Sequence, residues 1–572
     1  MVSNENKKSN ETKKNKSEGV YKLKSKEENE FEDNAVANMI SGGTSVMIAG
    51  LIAGLFGWIA TVFVSRPDIG IGASGYALLS TANSMIIIIS SLSGGINQSI
   101  SKYIAESYVE SKETALEYAR ASSLSTNIFG ISILSIFMVI SFLSFKFLTY
   151  IYGIIFLFAG LAIFFSFFRD NLIGNIGGFQ KFKTIAIINF TGIIGGVTLT
   201  LSIFYVPPPY NQITFLAQVF AAPLIQIIFA LIFARRIFPY NVFSIYKLPS
   251  SWKFPVKISK YGFYCTVPQV ILNQSIFWIQ IMYYQMFFGP NDPIVGIAGI
   301  LLGYSGVMGA INMYGWPQIP AVSEAKARNN QDLIDKLVGQ CFKTGFNISI
   351  MFLVFYIGLA HPILELFHTA QYLPGYVPFI LLAISATMIG IVFIIASMMV
   401  GLGRAKVAFI YILIIIISVF VLTPGLIILF SLYTNKYMAL FAGPLGLLIP
   451  TIFVLPFLFK SLPKYTTKPS KYYLFILLKG SVSVAVANII SYFIENFVYP
   501  YNTFLNGIPT GFLVGIGINT GIFIFLICFL SALDDQDWDL FKKFLGPLKF
   551  LTLAPEWLSK NSPFHHKNNS LD

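Results

Sequence analysis

Residues 407–431 read VAFIYILIIIISVFVLTPGLIILFS, with no charged side chain from end to end. A helix that crosses the hydrocarbon core of a bilayer needs about 20 mostly apolar residues, and this stretch supplies them. Lipid cannot satisfy an open sheet edge, so such a run is read as a helix. Moving outward along the chain, comparable runs recur at 38–64, 72–101, 121–145, 148–174, 184–205, 214–234, 261–288, 294–318, 340–360 and 376–400 before it. They continue at 438–459, 472–494 and 507–531 after it. The expectation is an all-α polytopic membrane protein of about fourteen spans.

Composition agrees. Of 572 residues, 55% are hydrophobic and 11% charged, whereas a soluble domain carries about a quarter charged residues. So few charges cannot cover the surface of soluble domains. Phe (55) and Tyr (29) are abundant, as expected where aromatic rings sit at headgroup level. Cys265, Cys341 and Cys528 lie far apart inside apolar runs. They form no metal-ligand spacing and no disulfide framework, and packing is their expected role.

Residues 1–34 are lysine-rich and poor in apolar residues. They contain no signal-peptide core and are read as a disordered cytoplasmic tail. With that tail inside, the outer loops hold only Arg66, Lys146 and Lys436, and the remaining Lys and Arg fall in inner loops, tails or helix ends. This is the asymmetry of the positive-inside rule. The net charge of +13 is therefore a topology signal. Basic residues spread over many inner loops do not make a nucleic-acid groove, so no nucleic-acid partner is expected.

The order of features repeats. The turn Arg66-Pro67-Asp68 leads into a Gly-rich helix that ends in SKYIAES (101–107) and the charged segment ESKETALEYAR (110–120). After residue 258, Gly289-Pro290-Asn291-Asp292-Pro293 leads into another Gly-rich helix, ending in PQIPAVSEAKARNNQDLIDKL (317–337). Six spans separate the copies, so any two-fold axis lies along the membrane normal. The expected organisation is a first six-helix bundle at 35–234, a cytoplasmic linker at 235–260 and a second six-helix bundle at 261–461. Two further helices follow at 462–531, and then a cytoplasmic tail at 532–572. The linker is rich in Arg, Lys, Pro and aromatic residues and reads as a segment lying on the membrane surface.

At this point the residues resemble a family. SKYIAE, PQIPAVSEAKARNN, GLGRAKVAF (401–409) and HPILELFHTAQYLPG (361–375) are similar to segments of the polysaccharide-transporter branch of the multidrug/oligosaccharidyl-lipid/polysaccharide exporter superfamily. The resemblance covers roughly residues 35–531. It implies two six-helix bundles facing a central cavity, with helices thirteen and fourteen appended. It also implies movement of a lipid-linked oligosaccharide from the inner to the outer leaflet of the cell membrane, with membrane lipid as a further partner. No cofactor is implied, and the coupling ion is not identified.

A polar head cannot cross hydrocarbon unaided, because unpaired polar groups cost several kcal/mol each. Amides, hydroxyls and a cation for the phosphate are therefore sought at membrane depth. Asn97, Gln98, Asn273, Gln274 and Gln280 are the candidate sugar-binding amides. The plainer reading of each is a helix–helix hydrogen bond worth about 0.6 kcal/mol. Asn83 and Asn312 are weaker candidates.

Arg169-Asp170 is the sharpest pair, because an ionisable residue in a span is a functional candidate by default. Arg169 would meet the phosphate, and Asp170 would hold Arg169 or carry a proton. In the plainer reading, Arg169 is an inner-end anchor that reaches the headgroups and Asp170 caps the fourth helix. Helix neighbours do not share a face, so a direct bond between the two is not expected. Only Arg169 is read as approaching membrane depth.

Glu324, Lys326 and Arg328 are candidate gate residues, with a solvated loop as the plainer reading. His361 and His368 fit no metal spacing and read as ordinary loop residues. There is no Walker phosphate loop, and the chain is not expected to be an enzyme. Residues 38–64 contain no acidic residue, unlike the first helix of many drug-exporting relatives. Three readings follow: a lipid-linked oligosaccharide flippase, an exporter of drugs or small organic cations, and a membrane enzyme of glycan assembly. The last would need outer catalytic acids or a large outer loop, and the longest outer loop is only about 361–375.

Overall fold

The structure is a computed structural model. It describes residues 36, 38–57, 59–63, 72–147, 150–201, 210–272, 275–289, 292–312, 315–368, 370–433, 435–461, 466, 469–497, 510–530, 538, 542 and 553–562. The N-terminal tail, the 66–68 turn, Asn273 and Gln274 lie outside this set, as do the side chains of Asn83 and Asn312.

The described residues are nearly all helical and contain no strand. In chain order the first half comprises α1 (Asn38–Phe63), α2 (Gly72–Glu110), α3 (Lys112–Phe147), α4 (Tyr150–Gly178), α5 (Phe182–Leu201) and α6 (Tyr210–Ile237). The second comprises α7 (Lys253–Leu272), α8 (Ser275–Phe288), α9 (Pro293–Asn312), α10 (Gln318–Ala327), α11 (Gln331–Gly358), α12 (Tyr376–Gly401), α13 (Ala405–Tyr433) and α14 (Ala442–Ser461). Helices α15 (Ser470–Phe497) and α16 (Thr510–Phe529) follow, and then the short α17 (Leu553–Lys560). Eight described helical segments are long and apolar enough to cross a bilayer. This is the polytopic helical class expected from the apolar runs.

One departure from the sequence reading has a local cause. The charged segment 102–120 belongs to the spans themselves: α2 runs on to Glu110 and α3 begins at Lys112. The break falls at Ser111, whose Oγ accepts from Thr114 N at 3.0 Å, an N-cap for α3. The second half repeats the device, with Asn330 Oδ1 accepting from Leu333 N at 2.9 Å to start α11. Of the expected span 261–288, residues up to 272 and from 275 on are helical, and 293–312 and 318–327 are helical around the run 294–318.

Buried apolar side chains form two clusters, one mainly in the first half and one mainly in the second. Each half lends the other the start of a helix. Val36, Met39 and Ile40 at the beginning of α1 belong to the second-half cluster. Ile258 and Cys265 of α7 belong to the first-half cluster. The halves are thus held by exchanged helix starts as well as by the linker.

The long helix α2 packs against α3 and α4 of its own half and against α7, α8, α9 and α10 of the other. The approach is closest at α7. A Cβ on Gly95 would fall 2.4 Å from Thr266 Oγ1 and 2.6 Å from Thr266 Cα, and one on Gly262 would fall 3.3 Å from Ile96 Cα. Small residues let helix backbones approach in this way within a membrane. Ser99 Oγ then donates to Ile258 O at 3.1 Å, beside the crossing.

Helices α15 and α16 pack on α11, where the Phe342 and Tyr473 rings meet edge to face at 5.0 Å and Asn519 Nδ2 donates to Val354 O at 3.2 Å. Helix α17 packs on α16. Its Glu556 accepts from Lys542 at 2.7 Å and pairs with Lys560 at 2.9 Å. These hydrogen bonds, Lys542 first, hold the Glu556 carboxyl below its ordinary range.

Gly95→Ala should force α2 and α7 apart and cost about 1–3 kcal/mol, read as a lower thermal midpoint in detergent. Gly57→Ala, where nothing lies within 4 Å of the added carbon, should be neutral or stabilising by up to about 1 kcal/mol. The Glu556 clamp should be fully present above the usual carboxylate pKa and be lost as pH falls through the depressed one. Amide exchange in 553–560 should therefore accelerate in acid in wild type, relative to intrinsic exchange. In Glu556→Gln it should be faster already at neutral pH.

Candidate translocation site

Arg169 and Asp170 sit inside α4, about two turns before its end at Gly178. The structure corrects the expectation that they do not bond: Arg169 Nε donates to Asp170 Oδ1 at 2.8 Å. The reason is reach. An Arg side chain is long enough to fold back along the helix and present Nε to the short carboxylate beside it. The capping role for Asp170 also fails, because α4 continues to Gly178 and is closed by Gln180 in the left-handed region (φ 56°). There Lys181 N donates to Ile176 O and Gln180 N to Gly177 O.

Asp170 is buried and its other oxygen accepts from Ser93 Oγ of α2. Arg169 Nη1 donates to Gln226 Oε1 of α6 at 3.2 Å. Gln226 occupies the space left by the missing side chain of Gly192 on α5, where a Cβ would fall 2.4 Å from Gln226 Cγ. One ion pair therefore ties α2, α4 and α6 together over a glycine of α5. Next to it, Ser122 of α3 donates to Asn171 Oδ1 at 2.8 Å, and Asn175 Nδ2 donates to Asn171 O at 2.7 Å.

The candidate amides do not gather in one place among the described residues. Asn97 is buried against α4 of its own half, with Oδ1 3.0 Å from where a Cβ on Gly174 would be. Gln98 is buried one residue farther along α2. Gln280 is buried in the second half and donates to Gly443 O of α14 at 2.9 Å. Tyr284, one turn on, accepts from Gly443 N at 3.0 Å. Asn273 and Gln274 lie outside the described residues.

The gate candidates meet the first half at the end of the bundle where α2 finishes. Arg328 donates to Glu324 Oε1 from Nε at 3.0 Å and from Nη2 at 2.8 Å. Glu324 also accepts from Gln180 Nε2, in the turn between α4 and α5. Lys326 Nζ donates to Leu402 O at 2.7 Å, holding the turn that begins with Gly403 in the positive-φ region (78°). Beside them Lys102 pairs with Glu106 at 2.6 Å. Tyr103 and Tyr118 stack at 5.1 Å, and Lys257 Nζ donates to Tyr118 Oη at 2.7 Å. A cavity of about 660 Å³ lies here between the halves, lined by Asn38, Tyr108, Gln180, Lys181, Glu324 and Arg328 among others.

Two cations were missed in the sequence. Lys343 of α11 and Lys479 of α15 are both buried, with Lys479 Nζ 4.8 Å from the centre of the Phe475 ring. Arg169 is therefore not the only cation inside an expected span. The signal was present, since each lysine falls inside an expected span. His368 also departs from its reading as a loop residue: it is fully buried and shares a 2.8 Å hydrogen bond with Tyr304 Oη. No group of three or more His, Cys, Asp or Glu that could hold a metal occurs among the described residues.

No protein-family model and no curated protein matches the chain. Solved structures do. A MATE transporter in complex with MaL6 aligns with a TM-score of 0.59 at 15% identity, covering 75% of this chain and 95% of that one. An outward-facing multidrug resistance MATE family transporter of the MOP superfamily aligns at TM-score 0.57 and 15% identity, covering 75% and 95%. An inward-facing one aligns at 0.53 and 15%, covering 72% and 97%. The chain is similar to these in fold.

Removing one partner of a buried ion pair leaves the other charge stranded. Arg169→Ala should therefore destabilise by about 3 kcal/mol. The double change Arg169→Ala with Asp170→Ala should be closer to wild type than the single one. Chemical or thermal unfolding of the purified variants checks the order, and a double variant worse than the sum of the singles would contradict the pairing.

Proposed function

We propose that the protein is a transporter of the cell membrane, with both termini in the cytoplasm. In this reading it moves a lipid-linked oligosaccharide or polysaccharide precursor from the inner to the outer leaflet by alternating access. The observation that carries the reading is the contact between the two helical halves along α2, which includes the Gly95–Thr266 approach and the Ser99–Ile258 bond and is joined by the Gln180–Glu324 bond beyond it. The Ser99 and Gln180 bonds in it are single polar contacts that can change partner without unfolding either half. The similar folds captured in outward- and inward-facing conformations support such rocking.

The charges support this cargo. The deep carboxylate, Asp170, is occupied by Arg169 and Ser93, and 38–64 offers no second acid. Arg169 uses Nε and Nη1 internally, which leaves donors of its guanidinium fork for a phosphate. The polar head would pass between the halves while the lipid tail stays in the bilayer. About a quarter of this chain has no counterpart in the MATE structures. Glu324, Lys326 and Arg328 serve as the inner gate.

The second reading, export of small organic cations, is favoured by Asp170 itself, which would have to leave Arg169 to bind one. Vesicle assays separate the two. Lipid-linked oligosaccharide should cross with wild type, cross less with Arg169→Lys, which keeps the charge but loses the planar fork, and fail to cross with Arg169→Ala per folded molecule. Uptake of a cationic dye by wild type with no movement of the glycolipid would overturn the cargo assignment. A cysteine placed at Ser250 should react with an impermeant reagent only from the cytoplasmic side, and labelling from outside would overturn the topology.

A further inference from the structure

The segment joining α6 to α7 is a built surface. Residues 235–260 carry Arg235, Arg236, Lys247, Lys253, Lys257 and Lys260 and no acidic residue. Phe238, Val242 and Ile245 point inward and are buried in the first-half cluster. Between them Asn241 caps a short 3-10 helix, Val242–Tyr246, by accepting from Phe243 N at 2.9 Å.

Helix α3 pins the segment at three places. Arg120 Nε donates to Ser244 O at 3.2 Å, Glu117 Oε2 accepts from Ser250 N at 2.6 Å, and Tyr118 accepts from Lys257. So fixed, the strap turns its large apolar side chains outward. Phe243 is 56% exposed, Leu248 73%, Trp252 68% and Val256 62%. The Arg235 guanidinium lies 5.3 Å from the centre of the Phe243 ring. The other cations of the strap are exposed beside these residues.

Bulky apolar groups held open on a rigid strap are not a solvated linker. Interleaved with cations and free of carboxylates, they match one environment: an interface with anionic headgroups outside and acyl chains just beneath. We propose that this strap is a binding surface for anionic phospholipid. Phe243, Leu248, Trp252 and Val256 seat in the headgroup–acyl boundary, and Arg235, Lys247 and Lys253 meet the phosphates.

A lysine or arginine near an anionic surface strengthens attachment severalfold, so removing two should weaken it on the order of tenfold or more. The strap leads directly into α7, whose start is shared with the first-half core. Seating it therefore fixes the segment about which the halves would move. The inference concerns lipid contact alone and is independent of the cargo.

The test is a nitroxide on Leu248→Cys in the full chain, the three native cysteines being buried. The protein is reconstituted into vesicles of phosphatidylcholine alone or with phosphatidylglycerol. In the anionic vesicles, collisions with dissolved oxygen should rise several-fold relative to collisions with a water-soluble nickel chelate. The gain should be smaller in phosphatidylcholine, and high salt should reduce it. Adding Lys247→Gln and Lys253→Gln should abolish the difference between the two vesicle types. A label equally accessible to the nickel chelate in both would place the strap in water and overturn the proposal. Equal immersion in both would overturn its anionic selectivity.

Discussion

The arrangement depends on how closely α2 and α7 approach. A helix in lipid gains no hydrophobic advantage by touching another helix, because acyl chains are as apolar as leucine. What holds two helices together there is close packing and the polar contacts it permits. Gly95 and Gly262 remove the side chains that would keep these two apart. Once the backbones are that near, Ser99 can reach Ile258 O, and α2 can meet α8, α9 and α10 as well. The longest helix of the first half thereby becomes the surface on which the second half rests. Tyr103, Tyr118 and Lys257 then find one another beyond the crossing.

The polar interior of the first half has a different logic. Burying a carboxylate is costly unless it is paired and hydrogen-bonded. Asp170 achieves this with a neighbour in sequence and a serine on the next helix, and Arg169 spends its remaining reach on Gln226. Because Gln226 lies where a side chain on Gly192 would be, the position of the ion pair is set by a fourth helix that contributes no charge. The pair is thus a fixed part of the first half, and its guanidinium keeps an orientation that bond formation inside the protein dictates. A free anchor reaching for the headgroups would have no such constraint.

Much of the fold was legible because hydrocarbon thickness imposes a length that apolar runs must meet. The run 407–431 and helix α13, Ala405–Tyr433, coincide closely. What escaped was set by pairing rather than by averages. The helical continuation of α2 to Glu110 is hidden by charges that, in three dimensions, pair along the helix, as Lys102 does with Glu106. Lys343 and Lys479 were diluted by the apolar residues around them, though both fall inside expected spans. The exchange of helix starts between the halves has no local signal, since Val36, Met39 and Ile258 are ordinary apolar residues whose partners are far away in sequence. The Arg169–Asp170 bond has no signal in helix periodicity, because the arginine side chain is long enough to fold back to a neighbour that faces another way.

The candidate site was legible only in part, for the same reason. Residue types alone nominated Asn97, Gln98 and Gln280, yet an amide in a span serves a neighbouring helix as readily as a ligand. Asn97 lies against Gly174, and Gln280 serves the first residues of α14 through Gly443 O. Glu324 differs because its partners come from both halves: Arg328 on its own side and Gln180 across the interface. A side chain that serves only its own bundle moves with that bundle and feels nothing when the halves part. One whose bonds span the interface must exchange a partner as they do. On that criterion Glu324 is better placed than Asn97 or Gln280 to register the position of one half relative to the other. The strap 235–260 is the covalent counterpart of that contact, being pinned to α3 and continuous with α7.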